Sequence, residues 1–236
     1  MHHKTKSQLS RFLNLLFPPW EMPFARGLAN THRRSTQRYA SSLLFLKELR
    51  RDPKSIGAIC SSSDRLGERM ARHIELPDDG WVVELGGGTG VITRSLLQHG
   101  VSVSRLIVIE KSEALAAHLR QLFPEVRVIH GDAIDLETML RGGQPVKTIV
   151  SGLPLRSLSK STVRHITRAC ANILHPGGRL IQFTYASGDF SPWINAGLKK
   201  LTSETVWVNL PPARIEVFAG PQRSAESRPF ASVKNW

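Results

Sequence analysis

The sequence predicts a doubly wound α/β domain, with a seven-stranded, mostly parallel sheet, an antiparallel C-terminal strand and an N-terminal helical appendage. Three observations carry this reading. Short β-rich runs recur between residues 81 and 218, with helical stretches between the first five. A glycine-rich turn follows the first run directly and opens a helix. The excess of positive charge lies ahead of all these elements rather than among them.

The chain has 236 residues, which suits one α/β domain with an appendage, and its 41% hydrophobic share supports a real core. The 32 Lys and Arg against 19 Asp and Glu leave a formal charge of +13, pointing to an anionic partner, either nucleic acid or an acidic membrane surface. Residues 1–54 hold 11 of the basic groups and 3 of the acids, net +8, so under a quarter of the chain carries most of the excess. Two cysteines, Cys60 and Cys170, exclude a disulfide framework and a cysteine zinc site. They read as buried thiols in a reducing compartment, and no metal is expected.

Taken in order, residues 7–17 carry Leu9, Phe12, Leu13, Leu16 and Phe17 on one helical face, with Ser10, Arg11 and Asn14 on the other. Pro18 ends this helix, and Pro19 and Trp20 follow where a signal peptide would have a small-residue cleavage site, so export is not expected. No apolar run is long enough to span a bilayer. A basic amphipathic helix suits a membrane interface, with Arg11, Phe12, Leu13, Leu16, Phe17 and the nearby Arg33 and Arg34 as contacts. The alternative for the same face is docking on the protein's own core. A second helix is expected over 35–51, and a third from the Ser61–Ser63 cap region to about residue 74. Strands are expected at 81–85, 106–110, 126–130, 148–151, 180–185, 205–209 and 214–218. The last two are joined by Leu210-Pro211-Pro212-Ala213, too short for a crossover, and must be antiparallel. The expected domains are therefore a basic helical region at 1–54, the α/β domain at 55–219 and a polar tail at 220–236.

The segment Trp81-Val82-Val83-Glu84-Leu85-Gly86-Gly87-Gly88-Thr89-Gly90 ends a strand in an acid and enters a turn where the backbone can approach a ligand closely. A dinucleotide site would want a third glycine at position 91, where Val91 stands. Glu110 ends the second strand, 20 residues beyond Gly90, where a carboxylate can accept from both ribose hydroxyls. The third strand ends in His130-Gly131-Asp132-Ala133. The glycine run with Glu84 ahead of it resembles the first motif of class I S-adenosylmethionine-dependent methyltransferases. That resemblance implies a Rossmann-like fold and S-adenosylmethionine as cofactor, held by Glu84, Gly86, Gly88, Gly90, Glu110, Asp132 and Ala133, with Asp132 on the adenine amino group.

The fourth strand ends in Val150-Ser151-Gly152-Leu153-Pro154-Leu155. Amino methyltransferases acting on nucleic acid usually carry Asn or Asp and an aromatic at the positions of Ser151 and Leu155, so both base-reading elements are missing. Residues 43–218 resemble the soluble bacterial S-adenosylmethionine-dependent phospholipid N-methyltransferases and the related ornithine-lipid N-methyltransferases. The resemblance rests on the glycine run, on Pro53 to Ile59, on Ser62 and Ser63, on the Ser151–Leu155 run, on Gln182-Phe183-Thr184-Tyr185 and on Asn209 to Ala213. One departure is Gly87, where that family commonly has proline, a change expected to matter little to cofactor geometry.

This resemblance implies methyl transfer to the amine of phosphatidylethanolamine, towards phosphatidylcholine, by a cytoplasmic enzyme peripherally bound to the inner face of the membrane. Tyr185 and Ser151 are then the candidate catalytic residues, with Gly152, Leu153, Pro154, Ser62 and Ser63 around the substrate. His130 and His165 are alternative bases, each read first as a packing or surface residue. The competing functions are an ornithine-lipid N-methyltransferase, an rRNA or DNA adenine N-methyltransferase, and a non-catalytic binding module on the same fold. Nucleic acid is the weaker partner because Ser151 and Leu155 replace the base readers.

Overall fold

In a computed structural model, the protein is described over residues 64–76, 80–185, 191–207 and 213–221. The expected helices at 7–17 and 35–51, the membrane contacts Arg11 to Phe17, Arg33 and Arg34, the serines Ser62 and Ser63, and the 222–236 part of the tail lie outside these residues. The strands are β1 (Trp81–Leu85), β2 (Leu106–Glu110), β3 (Arg127–His130), β4 (Val146–Ser151), β5 (Leu174–Thr184), β6 (Lys199–Val206) and β7 (Ala213–Ala219). The helices are α1 (Asp64–Ala71), α2 (Val91–His99), α3 (Glu113–Leu122), α4 (Leu136–Met139), α5 (Lys160–Ile173) and α6 (Pro192–Asn195).

One seven-stranded sheet runs in the order β3-β2-β1-β4-β5-β7-β6. The strands β1 to β5 are parallel, and β7 pairs antiparallel with both β5 and β6. This is the mostly parallel Rossmann-like sheet with a reversed C-terminal strand that the sequence predicted. β1 and β2 are almost continuously apolar because they are covered on both faces. On one face Val82, Val108, Val150 and Ile181 pack with Leu66 of α1, Leu96 of α2 and Leu119 of α3. On the other, Leu85, Ile109, Ile149 and Leu180 pack with Leu136 of α4, Cys170 of α5 and Trp193 of α6. Cys170 is a free, fully buried thiol, and burial pushes its pKa up. No helix among the described residues is long and apolar enough to cross a membrane.

The helices α2 and α5 leave the neighbouring strands β1 and β4 towards opposite faces. Their loops therefore diverge at the carboxyl edge of the sheet and leave a crevice between them, the place where open α/β sheets bind ligands.

Several boundaries differ from expectation. The third helix, expected to reach residue 74, ends at Ala71 and continues as a turn in which the Ile74 amide bonds the Ala71 carbonyl. The strand β5 begins six residues early, at Leu174, because Val146 pairs with Leu174 before a register shift over the His175-Pro176-Gly177-Gly178 stretch. It ends at Thr184, leaving Tyr185 just past the strand. The largest correction is β6, expected at 205–209 and found at Lys199–Val206. It is an edge strand with Lys199, Leu201, Thr202 and Ser203 exposed, so its pairing with β7 defines it and no apolar alternation announces it.

Candidate active site

The carboxyl ends of β1, β2 and β4 bring three loops together. In the loop after β1, Gly86, Gly88 and Gly90 all take positive φ, at 77°, 53° and 81°, a region closed to most side chains. Gly90 is the N-cap of α2, so the turn feeds straight into a helix start whose first amides are free of intrahelical partners. Gly87 has a different reason to be glycine. A Cβ there would lie 2.4 Å from Val108 Cγ1 and 2.8 Å from Leu119 Cδ1, so the loop packs on β2 and α3 through that missing side chain. The glycine that stands here, where the resembled family commonly has proline, is thus tied to packing.

Glu84 is fully buried near the end of β1. Its Oε2 accepts from Thr93 Oγ1 of α2 at 2.7 Å, while Oε1 is buried without a hydrogen-bond partner. Burial is the largest cause that lifts its pKa, to about 8; the Thr93 hydrogen bond opposes this and the neighbouring Glu110 carboxylate adds to it. A buried, half-satisfied carboxylate is costly, and a cation beside Oε1 would relieve it.

Glu110 ends β2 and ties the glycine loop to the sheet. Its Oε2 accepts from the Gly88 amide at 2.9 Å and its Oε1 from the Ser112 amide at 2.8 Å. A carboxylate has about four acceptor sites, so two remain for a ligand. Asp132 lies just beyond β3, where Oδ1 accepts from the Ile134 amide at 3.2 Å and Oδ2 pairs with Lys111 Nζ at 2.8 Å. Burial would raise its pKa, but the Lys111 ammonium and the Ile134 amide outweigh that and hold it low. Ala133 is buried beside it at the start of a short 3-10 turn.

The loop after β4 lies against the glycine loop. The Gly152 amide donates to the Leu85 carbonyl at 2.8 Å, and a Cβ on Gly152 would stand 2.9 Å from the Gly86 oxygen. Ser151 is fully buried, with its hydroxyl accepting from the Leu153 amide at 3.4 Å, and Leu153 and Pro154 continue the turn half-buried. Tyr185 is half-buried just past β5, its ring edge-on to Phe183 with centroids 5.7 Å apart at 78°. His130 and His165 are both exposed; His130 Nε2 lies 3.1 Å from the Lys111 carbonyl. We expect Gly152→Ala to push two backbones apart with no side chain free to yield. It should destabilise by about 1–3 kcal/mol and weaken S-adenosylmethionine binding. Thermal melting and calorimetry check this, and an unchanged melting temperature would show that the loops part easily.

Several residues that position the site are given no role by the sequence alone. Thr93 is what holds Glu84, and Gln182 of β5 is the link from β5 to the β4 loop. The Gln182 amide donates to the Leu153 carbonyl at 3.3 Å and to the Phe183 carbonyl at 2.6 Å, and its Oε1 is buried without a partner. Opposite it on β7, buried Glu216 accepts from Lys200 at 2.7 Å and from Arg214 at 3.2 Å. The signal was present in both cases, since a polar residue interrupts an otherwise apolar strand at 182 and again at 216.

The positive-φ loop, the acids ending β1 and β2 and the crevice between β1 and β4 define a class I methyltransferase site. Residues 82–178 match the family model described as a methyltransferase domain. An ornithine lipid N-methyltransferase from Singulisphaera acidiphila is 32% identical over 180 residues, spanning 72% of this chain and 91% of that protein. The chain belongs to the class I S-adenosylmethionine-dependent methyltransferases, and S-adenosylmethionine is its cofactor. A ribosomal RNA small subunit methyltransferase A from Chlorobium chlorochromatii is 39% identical, but over 80 residues, 33% of this chain and 28% of that protein. Among solved structures, a 1,6-didemethyltoxoflavin-N1-methyltransferase from Burkholderia thailandensis shares the fold at a TM-score of 0.56 and 15% identity, covering 84% of this chain and 94% of its own. That structure holds S-adenosylhomocysteine. The residues here fit such a cofactor: the unpartnered Glu84 Oε1 suits its cationic amino acid end, and Glu110 keeps acceptor sites for a ribose.

Proposed function

We propose that this methyltransferase transfers methyl groups to the amine of a membrane lipid, working as a peripheral protein at an anionic, cytoplasmic membrane surface. Phosphatidylethanolamine, converted towards phosphatidylcholine, and an ornithine lipid are the two head groups that fit. The observation that carries the reading is an asymmetry of coverage. The lipid methyltransferase relative is matched over 91% of its own length, whereas the ribosomal RNA relative is matched over 28%. The β4 loop supports the same side. Ser151 and Leu155 stand where nucleic-acid enzymes place an amide and an aromatic, and the Ser151 hydroxyl is turned into its own turn.

When bound, the cofactor supplies an activated methyl group on a sulfonium. The chain's part is to align a neutral amine, exclude water and take away the proton that an ammonium head group carries. The Gly152-Leu153-Pro154 turn forms the wall beside the glycine loop, with Gly152 seated directly on the Gly86 backbone. Tyr185, with its ring held by Phe183, contacts the amine and relays the proton through its hydroxyl. The basic, amphipathic 1–54 region is the proposed membrane contact through Arg11, Phe12, Leu13, Leu16, Phe17, Arg33 and Arg34, with Ser62 and Ser63 near the head group.

The test is to incubate the purified chain with labelled S-adenosylmethionine and, separately, phosphatidylethanolamine vesicles, ornithine-lipid vesicles and total RNA. Label in one lipid names the head group, and label only in RNA overturns the reading. Tyr185→Phe is expected to lower turnover on the labelled lipid by roughly 10-fold to 100-fold, with cofactor affinity unchanged by calorimetry. Wild-type turnover would remove Tyr185 from the chemistry.

A further inference from the structure

Between α1 and the edge strand β6 runs a groove of about 370 Å³, away from the cofactor loops. The wall formed by α1 and the turn after it presents Arg65, Arg69 and Arg72 together with Glu68; the β6 wall presents Glu204 and ends at Trp207. The Arg69 guanidinium is committed, 2.6 Å from Glu204 Oε1, and His73 lies 3.3 Å from the other oxygen. Arg65 and Arg72 are exposed, and neither forms an ion pair among the described residues. They stand seven residues apart, Arg65 on α1 and Arg72 in the turn that continues it, roughly 10 Å along the axis. Trp207 is 76% exposed, the most exposed of the large hydrophobic side chains among the described residues.

The groove opens on the edge of the sheet that holds the active site. Past the end of α1, Glu75 is ion-paired with Arg179, which is level with Thr148 near the amino end of β4, so α1 runs from the carboxyl edge towards the amino edge. Glu204 is level with Ile215 and, through it, with Phe183. Arg65, one turn nearer the helix start than Arg69, and Trp207, just past β6, therefore lie at the level of Tyr185. Tyr185 itself packs against the cluster that contains Leu66 of α1 and Val206 of β6.

The geometry points to this groove as the surface on which the folded domain rests against an anionic phospholipid bilayer, with Arg65 and Arg72 on lipid phosphates and the Trp207 indole in the interface. This rests on the lipid reading above and adds to it a docking face on the catalytic domain, separate from residues 1–54. A guanidinium accepts a phosphate bidentately, and an indole settles at the headgroup level where its ring is apolar and its N–H is wet. Among the described residues that line the groove Trp207 is the only aromatic, and a single indole makes a poor stacking platform for RNA. A lipid anchored beside Trp207 has its head group at the edge where Tyr185 and the β4 loop stand, so docking here shortens the path of the amine to the site.

The experiment is co-sedimentation of the full chain with phosphatidylglycerol–phosphatidylcholine vesicles, compared with phosphatidylcholine alone and with total RNA. Each basic residue near an anionic surface contributes about 1 kcal/mol, or fivefold, so Arg65→Gln with Arg72→Gln should weaken partitioning on the order of 10-fold or more. Trp207→Ala should weaken it several-fold. All three positions are exposed, and unchanged calorimetric binding of S-adenosylmethionine verifies the fold of each variant. Arg141→Gln, an exposed cation in the loop before β4 at the opposite edge, removes charge elsewhere and should have little effect. Wild-type partitioning by both groove variants, an equal loss in Arg141→Gln, or a loss confined to RNA binding would each overturn the docking face. Lipid methylation by the wild type alongside intact vesicle binding by the variants would sink this inference alone. Impaired vesicle binding in a protein that methylates only RNA would sink the lipid activity alone.

Discussion

Glu84→Gln is expected to stabilise the cofactor-free protein above pH 6 while weakening S-adenosylmethionine binding by about 2–5 kcal/mol, a loss of 30-fold or more. Both effects come from one buried carboxylate. Its folded pKa of about 8 stands well above the ordinary glutamate value of 4.5. Below pH 4.5 both states hold the proton. Between there and about pH 8 the unfolded chain ionises while the folded chain does not, so stability declines as pH rises, by about 1.4 kcal/mol per unit, and the loss is complete above pH 8. The glutamine variant has no such slope, although a buried amide hydrogen offsets part of the gain. The variant still accepts from Thr93, so the local packing survives.

The check is the difference between wild-type and Glu84→Gln melting curves from pH 5 to 8. The difference is needed because His118, held low by burial, and Asp132 also titrate with folding, and they cancel between the two proteins. Parallel curves would show that Glu84 ionises normally. Cofactor binding near pH 7 should release a proton in the wild type, read calorimetrically in buffers of different ionisation enthalpy. The variant should release that proton no longer.

Glu110→Ala should cost on the order of 100-fold or more in cofactor affinity, since two charge-assisted hydrogen bonds of about 1.5–3 kcal/mol each are removed. The Gly88 amide at 2.9 Å and the Ser112 amide at 2.8 Å lose their acceptor together, so the glycine loop loses its tie to β2 as well as its ribose ligand. The same change removes the Glu110 charge that helps lift the Glu84 pKa, so the pH slope of stability should move towards lower pH. Calorimetric affinity within threefold of wild type would show that the loop holds its shape without Glu110.

Much of this site was legible before any fold was known. Strands buried on both faces read as apolar runs, and the acids that end β1 and β2 stand out against them. Glycines that need positive φ mark their own turn. β6 was misplaced for the converse reason, because an exposed edge strand carries no apolar signature. Gln182 was seen as part of a motif but given no role, because its partner, the Leu153 carbonyl, is 29 residues away and reaches it only across a strand pair.

Backbone preference and side-chain period are local, so the chain alone set the glycine turn and the strands other than β6, and the resemblance carried by the glycine motif implied the cofactor class. Strand order is not local. Placing β4 beside β1 seated Gly152 on Gly86, and carrying β6 out to the edge left Trp207 beside the arginines of α1. Burial likewise depends on what packs around a residue, so Glu84 could be read from the sequence as an acid, but only the closed core made it one that holds its proton to about pH 8.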